Sequence, residues 1–186
     1  SREWCFAELT QEQAAKKGDL RMIALKIEDL KTFTAQLFMG ETFDYWLVRE
    51  ANIVTFNSFT IDGRIRQGYY SDEELETNRI EEFSSWKTLR PFCYSLIRGK
   101  KLPESFQITL QLSPEENEKF IRRVKPDLPA DQIAALYLNI RYENHAAACV
   151  TGTSLKIFML DKQIEQEWDE TVRRYFRKLQ IPCVEV

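Results

Sequence analysis

The sequence predicts an α+β domain, an antiparallel β-sheet with helices packed mainly on one face. Three patterns predict it. Apolar and polar residues alternate along 22–27 and 106–112, the period of a strand with one buried face. An apolar stripe of Ile164, Trp168, Val172, Tyr175, Phe176 and Leu179 recurs at helical spacing and should lie on the sheet. Asp62-Gly63, flanked by Phe59, Ile61 and Ile65, is a two-residue hairpin signal, which implies antiparallel pairing.

Taken in order, residues 1–21 read as a polar leader with a short helix over 11–17, opened by the capping-box pattern Thr10 to Gln13 and stopped at Gly18. Met22 opens an alternating strand. Lys16-Lys17-Gly18 can be encoded by a purine-rich run, three codons upstream of Met22, where a bacterial ribosome-binding site would lie. Two readings therefore stand for the leader: translated upstream sequence before a native start at Met22, or a genuine helical extension. Residues 22–186 read as one α+β domain.

Asp29 caps a helix carrying Leu30, Phe33, Leu37 and Phe38, and Gly40 ends it. With Asn52 as a breaker, strands are expected over 44–49, 53–61 and 64–70. The acidic stretch 71–82 should be solvated. Ser85 caps a helix with Trp86, Leu89, Cys93, Leu96 and Ile97, closed by Gly99, and Pro91 should kink it or mark its true start. After the strand 106–112, Ser113-Pro114-Glu115-Glu116 opens a short helix with Phe120, Ile121 and Val124. Strands follow over 136–142 and 147–160, turning at Glu143-Asn144-His145 and breaking at Gly152. Asp161 caps the last helix.

The stretches 22–70 and 106–160 share one order: strand, capped helix, three-strand meander. This reads as two βαβββ repeats. Joined across a two-fold axis, they would resemble the unit of DNA sliding clamps, although no clamp motif is present.

Composition narrows the function classes. The chain has 186 residues, enough for a core without metals or disulfides. Its net charge of -3 gives no global attraction to nucleic acid or an anionic membrane. No apolar run nears the roughly 20 residues that span a bilayer. The four cysteines, at 5, 93, 149 and 183, lack paired spacing, so no zinc site is expected. Together these indicate a soluble, cytoplasmic protein with no metal and no cofactor.

Candidate chemistry is sparse. Asp62 and Glu143 could do acid–base work if they converged, yet Asp before Gly is what a tight turn wants. His145, the only histidine, could meet Cys149 across a hairpin, but Ala146, Ala147 and Ala148 offer no charge to activate a thiol. Thr151-Gly152-Thr153-Ser154 with Lys156 faintly suggests a phosphate cradle, but leads into a strand rather than a helix. Arg64, Arg66, Arg98, Lys100, Lys101 and Lys156 could form a basic face, and a solvated surface accounts for them as well. The candidate binding surface is Asn57, Thr60, Asp62, Arg64, Asn139, Arg141, Glu143, Thr153, Ser154 and Lys156.

The stretches 22–29 and 55–64, with Leu138-Asn139-Ile140-Arg141-Tyr142-Glu143-Asn144 and Thr151-Gly152-Thr153-Ser154-Leu155-Lys156, are similar to a family of uncharacterised bacterial proteins, mostly from anaerobic Firmicutes. The resemblance runs from Met22 to about the C-terminus. Where that family tends to have Gly after Glu-Asn, this chain has His145. The resemblance implies a cytosolic, single-domain bacterial protein and no particular chemistry.

The leading expectation is a non-enzymatic binding or assembly module for a macromolecular partner such as a protein. Behind it stand a DNA-associated, clamp-like accessory factor, which the net charge does not favour, and a small hydrolase or transferase using Asp62, Glu143 and Lys156. The sequence sets no oligomeric state.

Overall fold

The computed structural model describes residues 22–186. Seven strands form one antiparallel sheet: β1 (Ala24–Ile27), β2 (Leu47–Val54), β3 (Ser58–Asp62), β4 (Ser105–Gln111), β5 (Ile133–Glu143), β6 (Ala146–Leu155) and β7 (Cys183–Glu185), in the order β3-β2-β4-β5-β6-β1-β7. Among the described residues five helices accompany them: α1 (Leu30–Phe38), α2 (Asp72–Thr77), α3 (Trp86–Ile97), α4 (Pro114–Val124) and α5 (Gln163–Lys178). The class is the one expected. Among the described residues no helix is long and apolar enough to cross a membrane.

Register shows how alternation builds the two faces. Ala51, Ile108, Ile140, Cys149 and Leu25 pair across five strands, and all are buried. One residue along, the row is Thr60, Asn52, Gln107, Arg141, Ala148 and Lys26, pointing the other way. The first row lies under the helices. The second is mostly polar, although Ala148 within it is fully buried.

The helices dock through indoles. Trp86 on α3 packs against Phe38 and donates from Nε1 to the Leu37 carbonyl at 2.8 Å, which ties α3 to α1. Trp168 on α5 donates to the Tyr137 carbonyl of β5 at 2.9 Å. Ile164, Trp168, Val172 and Phe176 are all 0–1 % exposed, as the stripe requires. Asp29, Ser85 and Ser113 each accept a backbone N–H as N-caps, as expected. Asn144 and His145 turn the β5–β6 hairpin at φ 52° and 59°, the two left-handed positions of a type I′ turn.

Several expectations are corrected. β2 runs straight through Asn52 and bulges between Val48 and Glu50 instead. The hairpin lies at residues 55–57, where the Thr55 N–H bonds the Asn57 carbonyl, and not at Asp62-Gly63. Gly63 is needed for a different reason. A Cβ there would sit 1.8 Å from the Val48 carbonyl oxygen, so the chain passes against the bulge and leaves the sheet. The expected strand 64–70 is reduced to one bridge, Arg64 to Phe83, and a 3-10 turn.

The acidic stretch is exposed but includes α2, opened by a capping box between Ser71 and Glu74. Pro91 lies inside α3 rather than at its start. β6 does not break at Gly152, which pairs in register with Tyr137, and it ends at Leu155. Lys162 is the N-cap of α5 without a side-chain bond, while the Asp161 carboxylate accepts from the Gln163 N–H. β7 was not foreseen: three residues are too few to show a period.

Both halves do open as strand, helix and a two-strand hairpin, but pairing breaks the two-fold axis. β4 pairs with β5 of its own half, whereas β1 pairs with β6 of the other. The short helix expected over 11–17 lies outside the described residues.

Candidate functional site

The expected surface residues share a face more than they share a place. Thr60 and Asp62 on β3 and Asn139, Arg141 and Glu143 on β5 lie on the polar face, with Ser154 on β6. Thr60 donates to Asn52 at 2.8 Å and Thr109 to Asn139 at 2.9 Å, so these hydroxyls and amides serve one another. Burial draws the pKa of Arg141 below its ordinary value. Asp62 and Asn139 stand three strand spacings apart, about 14 Å. Thr153 pairs with Leu136 and belongs to the helix side. Asn57 sits in the β2–β3 turn, and Arg64 is held by Glu82 at 2.6 Å.

The proposed acid–base group does not assemble. The Lys156 N–H bonds the Gln132 carbonyl at one end of β5, and Glu143 ends that strand about 34 Å away. Nor does the Cys149 thiol meet a histidine. It is wholly buried on the helix side, and burial pushes its pKa well up, while His145 is exposed at the turn. Cys93 is likewise buried and pushed up to about 12. Among the described residues no group of three or more His, Cys, Asp or Glu side chains could hold a metal ion.

The structure gathers side chains elsewhere. Between the segment 42–46, α4 and α5 lies a groove of about 620 Å³. Its floor and walls are aromatic: Trp46 and Trp168 ring centroids are 6.0 Å apart, Phe120 meets Trp168 edge-on at 5.9 Å, and Trp46 meets Tyr175 at 5.7 Å. The polar tips of these rings are engaged within the protein. Trp46 Nε1 donates to the Tyr175 hydroxyl at 3.2 Å, and that hydroxyl donates to the Thr42 carbonyl at 2.9 Å. The groove is therefore lined by largely buried rings, with Tyr45 standing 89 % exposed among its lining residues.

Charge enters at the rim. Glu116 is paired with Lys119 at 3.1 Å. Arg123 on α4 and Arg174 on α5 both donate to Thr171 Oγ1, at 3.2 and 3.4 Å, so two guanidinium groups meet at one neutral oxygen. Among the described residues no carboxylate lies within ion-pair distance of either arginine. The segment carrying Thr42, Tyr45 and Trp46 is anchored from behind, where Arg90 grips the buried Asp44 carboxylate at 2.9 and 3.1 Å.

A protein-family model described as a family of unknown function, DUF5721, matches residues 36–183. The chain belongs to that family. The matched stretch of this DUF5721 protein contains every residue that lines the groove. No curated protein and no solved structure matches it.

Sequence reasoning placed Phe120, Trp168 and Tyr175 in the apolar stripes of helices, which is correct for their backbones. It did not single out Trp46. The available signal was the pair Tyr45-Trp46 in a short link between a helix and a strand. Adjacent residues entering a strand point opposite ways, so one of two such rings must face outward.

Proposed function

We propose that this chain is a non-enzymatic binding module, and that its macromolecular partner is a protein seating an apolar side chain in the aromatic groove beside an acidic one. The observation that carries the reading is the groove's composition: aromatic rings within, and at its rim an uncompensated Arg123 that Arg174 joins at Thr171. Concave, largely apolar and pre-formed surfaces with a few placed polar groups are what recognition sites look like. Aromatic residues and arginine are also the residue types on which interface energy concentrates.

Support also comes from what the groove walls have done with their chemistry. The indole N–H of Trp46 and the hydroxyl of Tyr175 are committed to fixing the walls, which suits recognition better than turnover. The same proposal sets the chain in the cytosol of a bacterium, of the anaerobic Firmicutes kind that the sequence resembles. The free thiols of Cys93, Cys149 and Cys183 suit a reducing compartment, and fractionation of native cells with an antibody to the chain checks it.

The test is peptide selection. A random displayed library panned on the full chain should yield peptides with an aromatic or large aliphatic residue next to Asp or Glu. Tyr45→Ala removes an exposed ring with little risk to the fold and should weaken their binding about tenfold. Arg123→Ala with Arg174→Ala should weaken it and flatten its dependence on salt. Selection of no common motif, or binding indifferent to all three changes, ends the reading. Concentration-dependent dimerisation lost in Tyr45→Ala would make a second copy of the chain the occupant instead.

A further inference from the structure

A second cavity, of about 300 Å³, lies where β4 runs into α4 and shares Leu112 with the lining of the aromatic groove. Two of its lining residues are buried amides, Gln111 at 6 % and Asn117 at 8 % exposure. Gln111 Oε1 and Asn117 Oδ1 have no hydrogen-bond partner. Nearby polar side chains do better. Thr109, two residues earlier on the same face of β4, bonds Asn139. Two orphaned acceptors on one small cavity are a standing cost to the fold, and a ligand that donates to them would remove it.

The charges around the cavity define the rest of that ligand. The acids on its wall are already held, Glu81 by Arg79 at 3.5 Å and Glu82 by Arg64 at 2.6 Å. The cations are not. Arg49 lies over the rings of Phe83 and Tyr137, at 5.1 and 5.9 Å, and Lys156 is the first residue after β6. Among the described residues neither has a carboxylate within ion-pair distance. The cavity thus offers cationic donors on one side and neutral acceptors on the other.

We propose that this cavity binds a small carboxylic acid bearing an adjacent amine or hydroxyl donor, an α-amino or α-hydroxy acid. The carboxylate takes Arg49 and Lys156, and the donor takes the amide oxygens of Gln111 and Asn117. The volume is at the small end of ligand pockets, which fits a molecule of this size. None of these four contact residues lines the groove, so either proposal can fail without the other.

The test is a melting-temperature screen of the full chain against the twenty standard amino acids, L-lactate and L-malate, with acetate and inorganic phosphate as controls. At least one acid carrying a donor should raise the melting temperature by several degrees, and the controls should not. Lys156→Ala, at an exposed position, should abolish that shift and leave the unliganded protein unchanged. Gln111→Leu should abolish the shift and raise the melting temperature of the unliganded protein, because it removes an orphaned acceptor. No shift with any of the acids, an equal shift with acetate or phosphate, a response that survives both substitutions, or a less stable Gln111→Leu protein overturns the assignment.

Discussion

Thr151 on β6 donates a 2.6 Å hydrogen bond to the carboxylate of Asp169 on α5, with both side chains at most 4 % exposed. The same hydroxyl accepts the Ile23 N–H at 3.1 Å, so one threonine of β6 joins the last helix to the residue just before β1. Burial raises the Asp169 pKa from 3.8 to about 6, with Glu185 and Glu165 adding to the rise and Thr151 and Arg173 opposing it.

That shift fixes the sign of a pH effect. The folded protein holds a proton on Asp169 between pH 3.8 and about 6 that the unfolded chain releases. The stability this proton lends is fully present below 3.8 and is lost as pH rises through about 6. Above that, the ionised side chain is a liability of the order of 3 kcal/mol. Asp169→Asn keeps an oxygen for Thr151 and drops the charge. Urea denaturation should find it more stable than the parent at pH 7.5, with the difference shrinking toward zero near pH 4. A difference independent of pH would show that Asp169 is not the titrating group.

Gly63 should tolerate nothing larger. A Cβ would lie 1.8 Å from the Val48 oxygen and 2.6 Å from its carbon. The backbone is pinned on both sides, since the Gly63 N–H bonds the Arg49 carbonyl and its own carbonyl accepts from Ser84. Gly63→Ala must therefore disturb the bulge in β2, at a cost of about 3 kcal/mol. A urea midpoint close to the parent's would mean that the segment can move aside.

Gly63 also shows what the sequence could and could not say. Asp-Gly between apolar residues is written the same way whether it turns a hairpin or lets a chain graze a bulge, and only the position of Val48 decides. Elements whose evidence is local were readable: the alternation from Phe106 to Leu112, the stripe from Ile164 to Phe176, and the turn at Asn144-His145. The three-residue strand at Cys183 has no local signature and exists because β1 offers it an edge. The aromatic groove was hidden for a related reason. Trp46, Phe120, Trp168 and Tyr175 come from three separate stretches, each reading as core, and whether they leave a hollow depends on how far α4 stands from α5.

The Asp44–Arg90 pair should matter more than an ordinary ion pair. Asp44 is 4 % exposed, and both of its oxygens are engaged by one guanidinium. Asp44→Ala strands the half-buried cation and should cost about 3–5 kcal/mol. Adding Arg90→Leu removes the stranded charge and should recover a good part of that loss. Recovery by the second substitution is the outcome a mere gap left by Asp44 would not give. Because the pair anchors the segment before β2, Trp46 fluorescence should also shift to the red in Asp44→Ala.

Tyr175→Phe separates the shape of the groove from its rigidity. The substitution keeps the ring against Trp46, Phe43 and Phe176 but deletes the hydroxyl that accepts from Trp46 Nε1 and donates to the Thr42 carbonyl. Two groups lose a partner, and the expected loss of stability is about 1–2 kcal/mol. Trp46→Phe breaks the same chain from its other end, so the double substitution should cost less than the sum of the two. A peptide selected on the parent protein should bind Tyr175→Phe several-fold more weakly although every apolar contact remains available. Additive stabilities together with unchanged peptide affinity would show that the hydroxyl chain does not hold the groove in its binding shape.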